Sequence, residues 1–212
     1  KKHSFTQSNA DSCVFIHRNS AGEVDCVNGI HTDDGILAGP RPAVNKTIKM
    51  LKSYYKIREV DGRANAYVGI KIDHSDDGQT LELSQESLIN KLLENEGMQH
   101  CNASKIPARE TLTEPPNGPM TEEEELFMKK GDKNARYISN IGVLLYLTRC
   151  TRPDIAYAVG YLSRHTNKPH KTHWKALMCV LKYLKGTKSF GLRSLHQERK
   201  NGQRSCCPIH SL

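Results

Sequence analysis

Between residues 107 and 121 stand Pro107, Pro115, Pro116, Asn117, Gly118 and Pro119, a run that sustains neither a helix interior nor a central strand. It separates two stretches whose hydrophobic periods differ. Before it, short apolar runs alternate with turn residues; after it, apolar residues recur at helical spacing. That contrast makes the expected fold class α+β, with an antiparallel sheet and packed helices in residues 1–106 and a mainly helical part in residues 126–192. Residues 107–125, which include the acidic run Glu122 to Glu125, read as an exposed linker. Residues 193–212 lose periodicity and read as a divergent, disordered tail.

In the first half, Cys13-Val14-Phe15-Ile16 reads as a strand and Asn19-Ser20-Ala21-Gly22 as a turn. Val24 to Ile30 and Ile36 to Ala38 then flank His31-Thr32-Asp33-Asp34-Gly35, which predicts a β-hairpin with Asp-Asp-Gly at its tip. Asn28-Gly29 is a competing turn signal that weakens the first of these strands. Pro42 suits the first turn of a helix, and Val44, Ile48 and Leu51 continue it for about 12 residues. Tyr67 to Ile72 and Thr80 to Leu83 read as strands of a second hairpin joined by Asp76-Asp77-Gly78-Gln79. Ser84 looks like a helix N-cap, with Leu88, Leu92 and Leu93 on the apolar face and Gly97 as C-cap.

In the second half Tyr137, Ile141, Leu144 and Leu145 share one helix face. Arg152-Pro153-Asp154 opens another helix with Ile155, Val159 and Leu162 inward, and Trp174, Leu177, Met178, Leu181 and Leu184 line a third that ends at Gly186. Lys171, Lys175, Lys182, Lys185 and Lys188 lie beside that last stripe; they form either a solvated face or a track for a phosphate backbone.

The formal charge is +8, from 31 Lys and Arg against 23 Asp and Glu, which favours a polyanionic partner such as nucleic acid. No apolar run is long enough to cross a bilayer, and Lys1-Lys2-His3-Ser4-Phe5 lacks the apolar core of a signal peptide. The seven cysteines include no C-x-x-C pair, so a structural zinc site is not expected, and their odd count and scattered spacing suggest reduced thiols in an intracellular protein. His165, His170 and His173 near Cys179 read as solvated imidazoles on a basic surface rather than a metal cage. The absence of an initial Met makes the chain read as a piece of something longer.

Asp33 and Asp34 bear two readings. Asp and Gly suit a hairpin turn for backbone reasons alone. Two adjacent carboxylates are also hard oxygen ligands of the kind that Mg²⁺ takes in phosphoryl transfer. The second Asp-Asp-Gly, at 76–78, shows that the tripeptide also occurs where only a turn is expected.

The order of segments resembles the reverse transcriptase region of copia-type LTR retrotransposon polyproteins. The stretches that carry the resemblance are Ser8 to Phe15, Thr32-Asp33-Asp34, Tyr67-Val68-Gly69-Ile70, Leu83-Ser84-Gln85 and Ile141 to Leu147. The most specific are Thr151-Arg152-Pro153-Asp154-Ile155-Ala156, His173-Trp174, Tyr183-Leu184-Lys185-Gly186-Thr187 and Gly191-Leu192. The resemblance covers roughly residues 3–192.

It implies a partial polymerase palm followed by thumb and connection helices, and an RNA-directed DNA polymerase that extends a primer by two-metal phosphoryl transfer. Asp33 and Asp34 would be catalytic Mg²⁺ ligands, and Val68, Gly69 and Ile70 a hairpin gripping the primer end. Lys171, Lys175, Lys182 and Lys185 would contact the template–primer nucleic acid, and deoxynucleoside triphosphates would be the substrates. The family draws a further catalytic Asp, and its nucleotide-binding fingers, from sequence upstream of Lys1. His31 and Thr32 stand where the family has Tyr and Val, and after Leu192 the family pattern is lost. The expectation is a fragment inactive alone; the alternative is a non-catalytic nucleic-acid-binding remnant or a decayed element with no selected activity.

Overall fold

Apolar runs broken by turn residues favour strands that pair with their neighbours in sequence. The computed structural model describes residues 5–59, 63–76, 80–108, 119–195 and 209–211. The chain runs β1 (Phe5–Gln7), β2 (Val14–Arg18), β3 (Val24–His31), β4 (Asp34–Ala38), α1 (Arg41–Tyr54), β5 (Ala66–Tyr67), β6 (Ile70–His74) and β7 (Thr80–Ser84). It continues with α2 (Glu86–Asn95), α3 (Glu122–Lys129), α4 (Lys133–Cys150), a 3-10 turn (Pro153–Ile155), α5 (Ala156–Ser163), α6 (Lys171–Gly186), β8 (Leu192–Leu195) and β9 (Ile209–Ser211). The architecture is α+β. Two compact units comprise residues 1–82 with 193–212, and residues 83–192. The division therefore falls within β7 and not in the proline-rich 107–125 segment.

In the first unit, β1 to β4 form an antiparallel meander and β9 pairs with the outer edge of β4. A register shift between His17 and Arg18 bulges the β2–β3 ladder, and the His17 imidazole hydrogen-bonds the Asp25 carboxylate beside it. Helix α1, with proline in its first turn, covers one sheet face: Val44 and Ile48 pack on Cys26 and Leu37. Gly39 precedes it because a Cβ there would fall on the Asp25 carbonyl oxygen. Strands β5 to β8 form a second sheet in chain order.

In the second unit a single core gathers α2, α4, α5 and α6 around Ile89, Leu144, Leu147, Val159, Leu177 and Leu181. Gly97, at φ 65°, ends α2: its N–H bonds Glu94 O at 2.9 Å and the Met98 N–H bonds Leu93 O at 2.8 Å.

Several expectations change. Asn28-Gly29 is not a turn but lies inside β3, where Asn28 is opposite Phe15 and Leu37 and its side chain is buried. Ser84 ends β7, and Gln85 takes the N-cap position. Glu122 to Glu125 are not linker but the first turn of α3, stabilised by a reciprocal cap between Thr121 and Glu124 and by favourable charge at the helix N-terminus. Leu145 points away from the core, 37% exposed, because an 18-residue helix turns it past the Tyr137, Ile141 and Leu144 stripe. Within 193–212, the expected disordered tail, the described residues form most of β8 and β9, which are held by ladder pairing rather than by apolar periodicity. The Asp77-Gly78-Gln79 turn and residues 109–118 of the proline-rich segment lie outside the described residues. Among the described residues no helix is long and apolar enough to cross a membrane.

The motif blocks of the second unit meet in space. Arg152, 1% exposed, donates to both Asp154 carboxylate oxygens at 3.0 and 2.8 Å, to the Thr187 carbonyl at 2.9 Å and to the Thr187 hydroxyl at 2.7 Å. Its guanidinium lies over the Tyr183 and Phe190 rings, and the Tyr183 hydroxyl donates to Asp154 at 2.8 Å. One residue earlier, Thr151 donates to the buried Gln85 amide oxygen at 2.8 Å. Thr151-Arg152-Pro153-Asp154 thus ties the Leu83-Ser84-Gln85 and Tyr183-to-Thr187 blocks into one buried polar junction. Burial pushes the Asp154 carboxyl up, but hydrogen bonds from Arg152 and Tyr183 outweigh it and hold the group below its ordinary value.

The histidines are not solvated. His170 and His173 are buried, and the His173 ring stacks on His165 with centroids 4.0 Å apart. His173 Nδ1 accepts the His170 backbone N–H at 3.0 Å. Burial, then the neighbouring His165 and His170, push His173 down to about 4.

Candidate functional site

A two-residue hairpin loop needs its first or both central residues at positive φ. Here the loop is Thr32-Asp33, with Thr32 at φ 51° and His31 paired to Asp34 across its base. The turn therefore sits one residue earlier than the Asp-Asp-Gly tip read from the sequence. Asp34 opens β4, and Gly35 is buried in that strand opposite Ile30. Both acids are exposed, and neither makes an ion pair or a side-chain hydrogen bond among the described residues. His31 and Thr32 are exposed beside them.

The acidic hairpin borders a cavity of about 810 Å³ that lies wholly within the first unit. Its lining comes from the sheet face that α1 packs on, beyond the Cys26 and Leu37 contacts, and from the end of α1 with the chain after it. Asp33 and Asp34 stand on its rim, and so do Lys56 and Arg58.

Val68 and Gly69 are not strand residues. They form the two-residue loop between β5 and β6, at φ 48° and 74°, with Tyr67 paired to Ile70. A β-branched residue at positive φ is strained, and strain of this kind concentrates at functional sites. The structure brings this hairpin near the acidic one. Tyr67 is pushed up from its ordinary value first by burial and then by Asp34, Cys13 and Asp11.

In the second unit, Lys171, Lys175, Lys182 and Lys185 fall within an arc of about 80° on α6, at 100° per residue. Two of them have partners. Lys171 pairs with Glu123 at 3.1 Å, and Lys185 donates to the Cys101 carbonyl. Lys188 donates to Asn90 at 3.0 Å. Lys175 and Lys182 are exposed, with no side-chain partner among the described residues.

Asp33 and Asp34 are suitable oxygen ligands for Mg²⁺, yet among the described residues no group of three His, Cys, Asp or Glu side chains could hold a metal ion. Sequence reasoning missed Asn28 and Arg152 as buried polar groups. Asn28 carried a turn signal that masked it; the Arg-x-Asp spacing of Arg152 and Asp154, with one carboxylate within reach of the guanidinium, was the available sign of the second.

The fold and the hairpin define an α+β protein that presents two carboxylates on a tight strand turn. The chain is 32% identical over 189 residues, 88% of its length, to the retrovirus-related Pol polyprotein from transposon TNT 1-94 of Nicotiana tabacum. It is 28% identical over 192 residues to the Pol polyprotein from transposon RE2 of Arabidopsis thaliana. An uncharacterized mitochondrial protein of Arabidopsis thaliana is 29% identical over 178 residues, 68% of that relative's length. Over most of its length the chain is thus homologous to retrovirus-related Pol polyproteins of copia-type transposons. It spans 14% of the tobacco polyprotein and 12% of the RE2 polyprotein. No family model matches the chain, and no solved structure matches it.

Proposed function

We propose that the chain is a piece of a copia-type reverse transcriptase, part of the palm with downstream thumb or connection helices. In this reading it binds template–primer nucleic acid but does not extend a primer by itself. The observation that carries the reading is the exposed Asp33-Asp34 pair on the β3–β4 hairpin, in a chain homologous to transposon Pol polyproteins. In the whole polyprotein Mg²⁺ would supply charge neutralisation for nucleotidyl transfer, with Asp33 and Asp34 among its ligands. Among the described residues no third carboxylate, histidine or cysteine joins the pair, and no catalytic step is assigned to this chain.

The second reading, a non-catalytic nucleic-acid-binding remnant, rests on the charge of +8 and the lysines of α6, which the first also uses. The experiment is binding of the chain to a labelled RNA–DNA primer–template across a salt series, followed by a Mg²⁺ primer-extension assay. Two to four phosphate contacts predict a log–log salt slope of roughly −2 to −4. Lys175→Glu with Lys182→Glu should weaken binding on every sequence tested. Binding indifferent to salt would refute the nucleic-acid reading, and robust extension would refute the reading of a chain that does not extend a primer by itself.

A further inference from the structure

One wall of the cavity beside the acidic hairpin is unexplained by the acidic pair. Its size, about 810 Å³, falls inside the range of about 300–1,000 Å³ in which small-molecule sites lie. Phe5, Phe15, Ile30, Leu51, Tyr55 and Ile57 make it largely apolar and aromatic. Set into that wall is Asn28, 5% exposed, whose Oδ1 has no hydrogen-bond partner among the described residues. A buried amide oxygen without a donor is destabilising, and interiors almost always satisfy such a group. Its terminal torsion is broad and roughly two-fold, so the amide can turn its oxygen to a guest.

The rim charges cancel: Asp33 and Asp34 against Lys56 and Arg58. A guest is therefore selected by shape and by one hydrogen bond rather than by net charge. A polyphosphate would set its own charge against the two carboxylates on the same rim.

We propose that this cavity binds an uncharged, planar aromatic molecule carrying an N–H donor, with Asn28 accepting the hydrogen bond and the aromatic side chains covering its faces. Offset and edge-on packing of rings adds to the area they bury. The proposal needs neither a cation nor a nucleic acid, so its outcome is independent of the polymerase reading.

The test titrates the full chain with indole and with benzofuran, which has nearly the same shape and no N–H. Binding is followed by calorimetry and by chemical-shift changes at Phe5, Phe15 and Asn28. Indole should bind about tenfold more tightly, the difference expected for one good hydrogen bond. Asn28→Val should erase that preference. Ile30→Trp, at a position already 40% exposed, should set an indole ring against Asn28 in place of the guest and weaken binding of both probes. Equal affinities in the unaltered chain, or an indole preference that survives Asn28→Val, would overturn the proposal. Should Asn28→Val fail to fold, Ile30→Trp decides: indole binding unchanged in that variant refutes the site.

Discussion

Acid should destabilise the second unit through His173. Its ring is 2% exposed, stacked on His165, with Nδ1 accepting a backbone N–H and Nε2 lacking any partner among the described residues. A second proton would have to go on Nδ1 and would displace that hydrogen bond in a buried site beside the His165 and His170 rings. The group is pushed from an ordinary 6.5 to about 4. The folded state thus favours the neutral ring, while the unfolded chain takes up a proton below its ordinary value. The stability is fully present above pH 6.5, falls as pH drops from 6.5 towards 4, and changes no further below that. A shift of that size at 1.36 kcal/mol per pH unit corresponds to about 3 kcal/mol. For a unit of this length that is roughly 12 °C in midpoint temperature. Urea unfolding of the full chain, followed by circular dichroism at pH 7, 5.5 and 4, reads it directly. His173→Phe should flatten the pH slope in that window, whatever its effect on absolute stability. An unchanged slope in His173→Phe would refute the burial argument.

Other outcomes follow from single contacts. Arg152→Ala removes the donor that joins Asp154 to Thr187 and leaves a half-buried carboxylate, and should cost about 3–5 kcal/mol in denaturant unfolding. In that variant the Asp154 carboxyl should titrate higher, which carbon-detected NMR would register. Gly39→Ala would drive a Cβ onto the Asp25 carbonyl and should destabilise the first unit by more than about 1 kcal/mol, seen as a lowered thermal midpoint.

The helical spacing was legible because its cause is local: Tyr137, Ile141 and Leu144, or Leu177, Leu181 and Leu184, turn inward by geometry alone. The acidic hairpin was legible to within one residue. Asp-Asp-Gly named the turn, but which two residues enter the loop is set by pairing of His31 with Asp34, which is a property of two strands. Asn28-Gly29 misled because local turn preference was overruled by the β2 and β4 ladders on either side. The histidines misled for a similar reason: polar side chains on a basic helix read as solvated until α5 and α6 bring His165 onto His173. Residues 107–125 read as a domain boundary from proline content, whereas the division at 82/83 depends on packing that a composition shift does not report. Arg152 could be quoted as a motif without its purpose, since its Thr187 partner is 35 residues away.

In the proposed function the Asp33-Asp34 hairpin is one part of a cation-holding centre. Mn²⁺ titration of the ¹⁵N-labelled chain tests it most directly, because the ion broadens resonances near wherever it rests. Weak, non-saturating broadening at Thr32 to Gly35 that disappears in Asp33→Asn is the expected result. Broadening elsewhere with those residues untouched, or tight saturable binding at the hairpin, would contradict it.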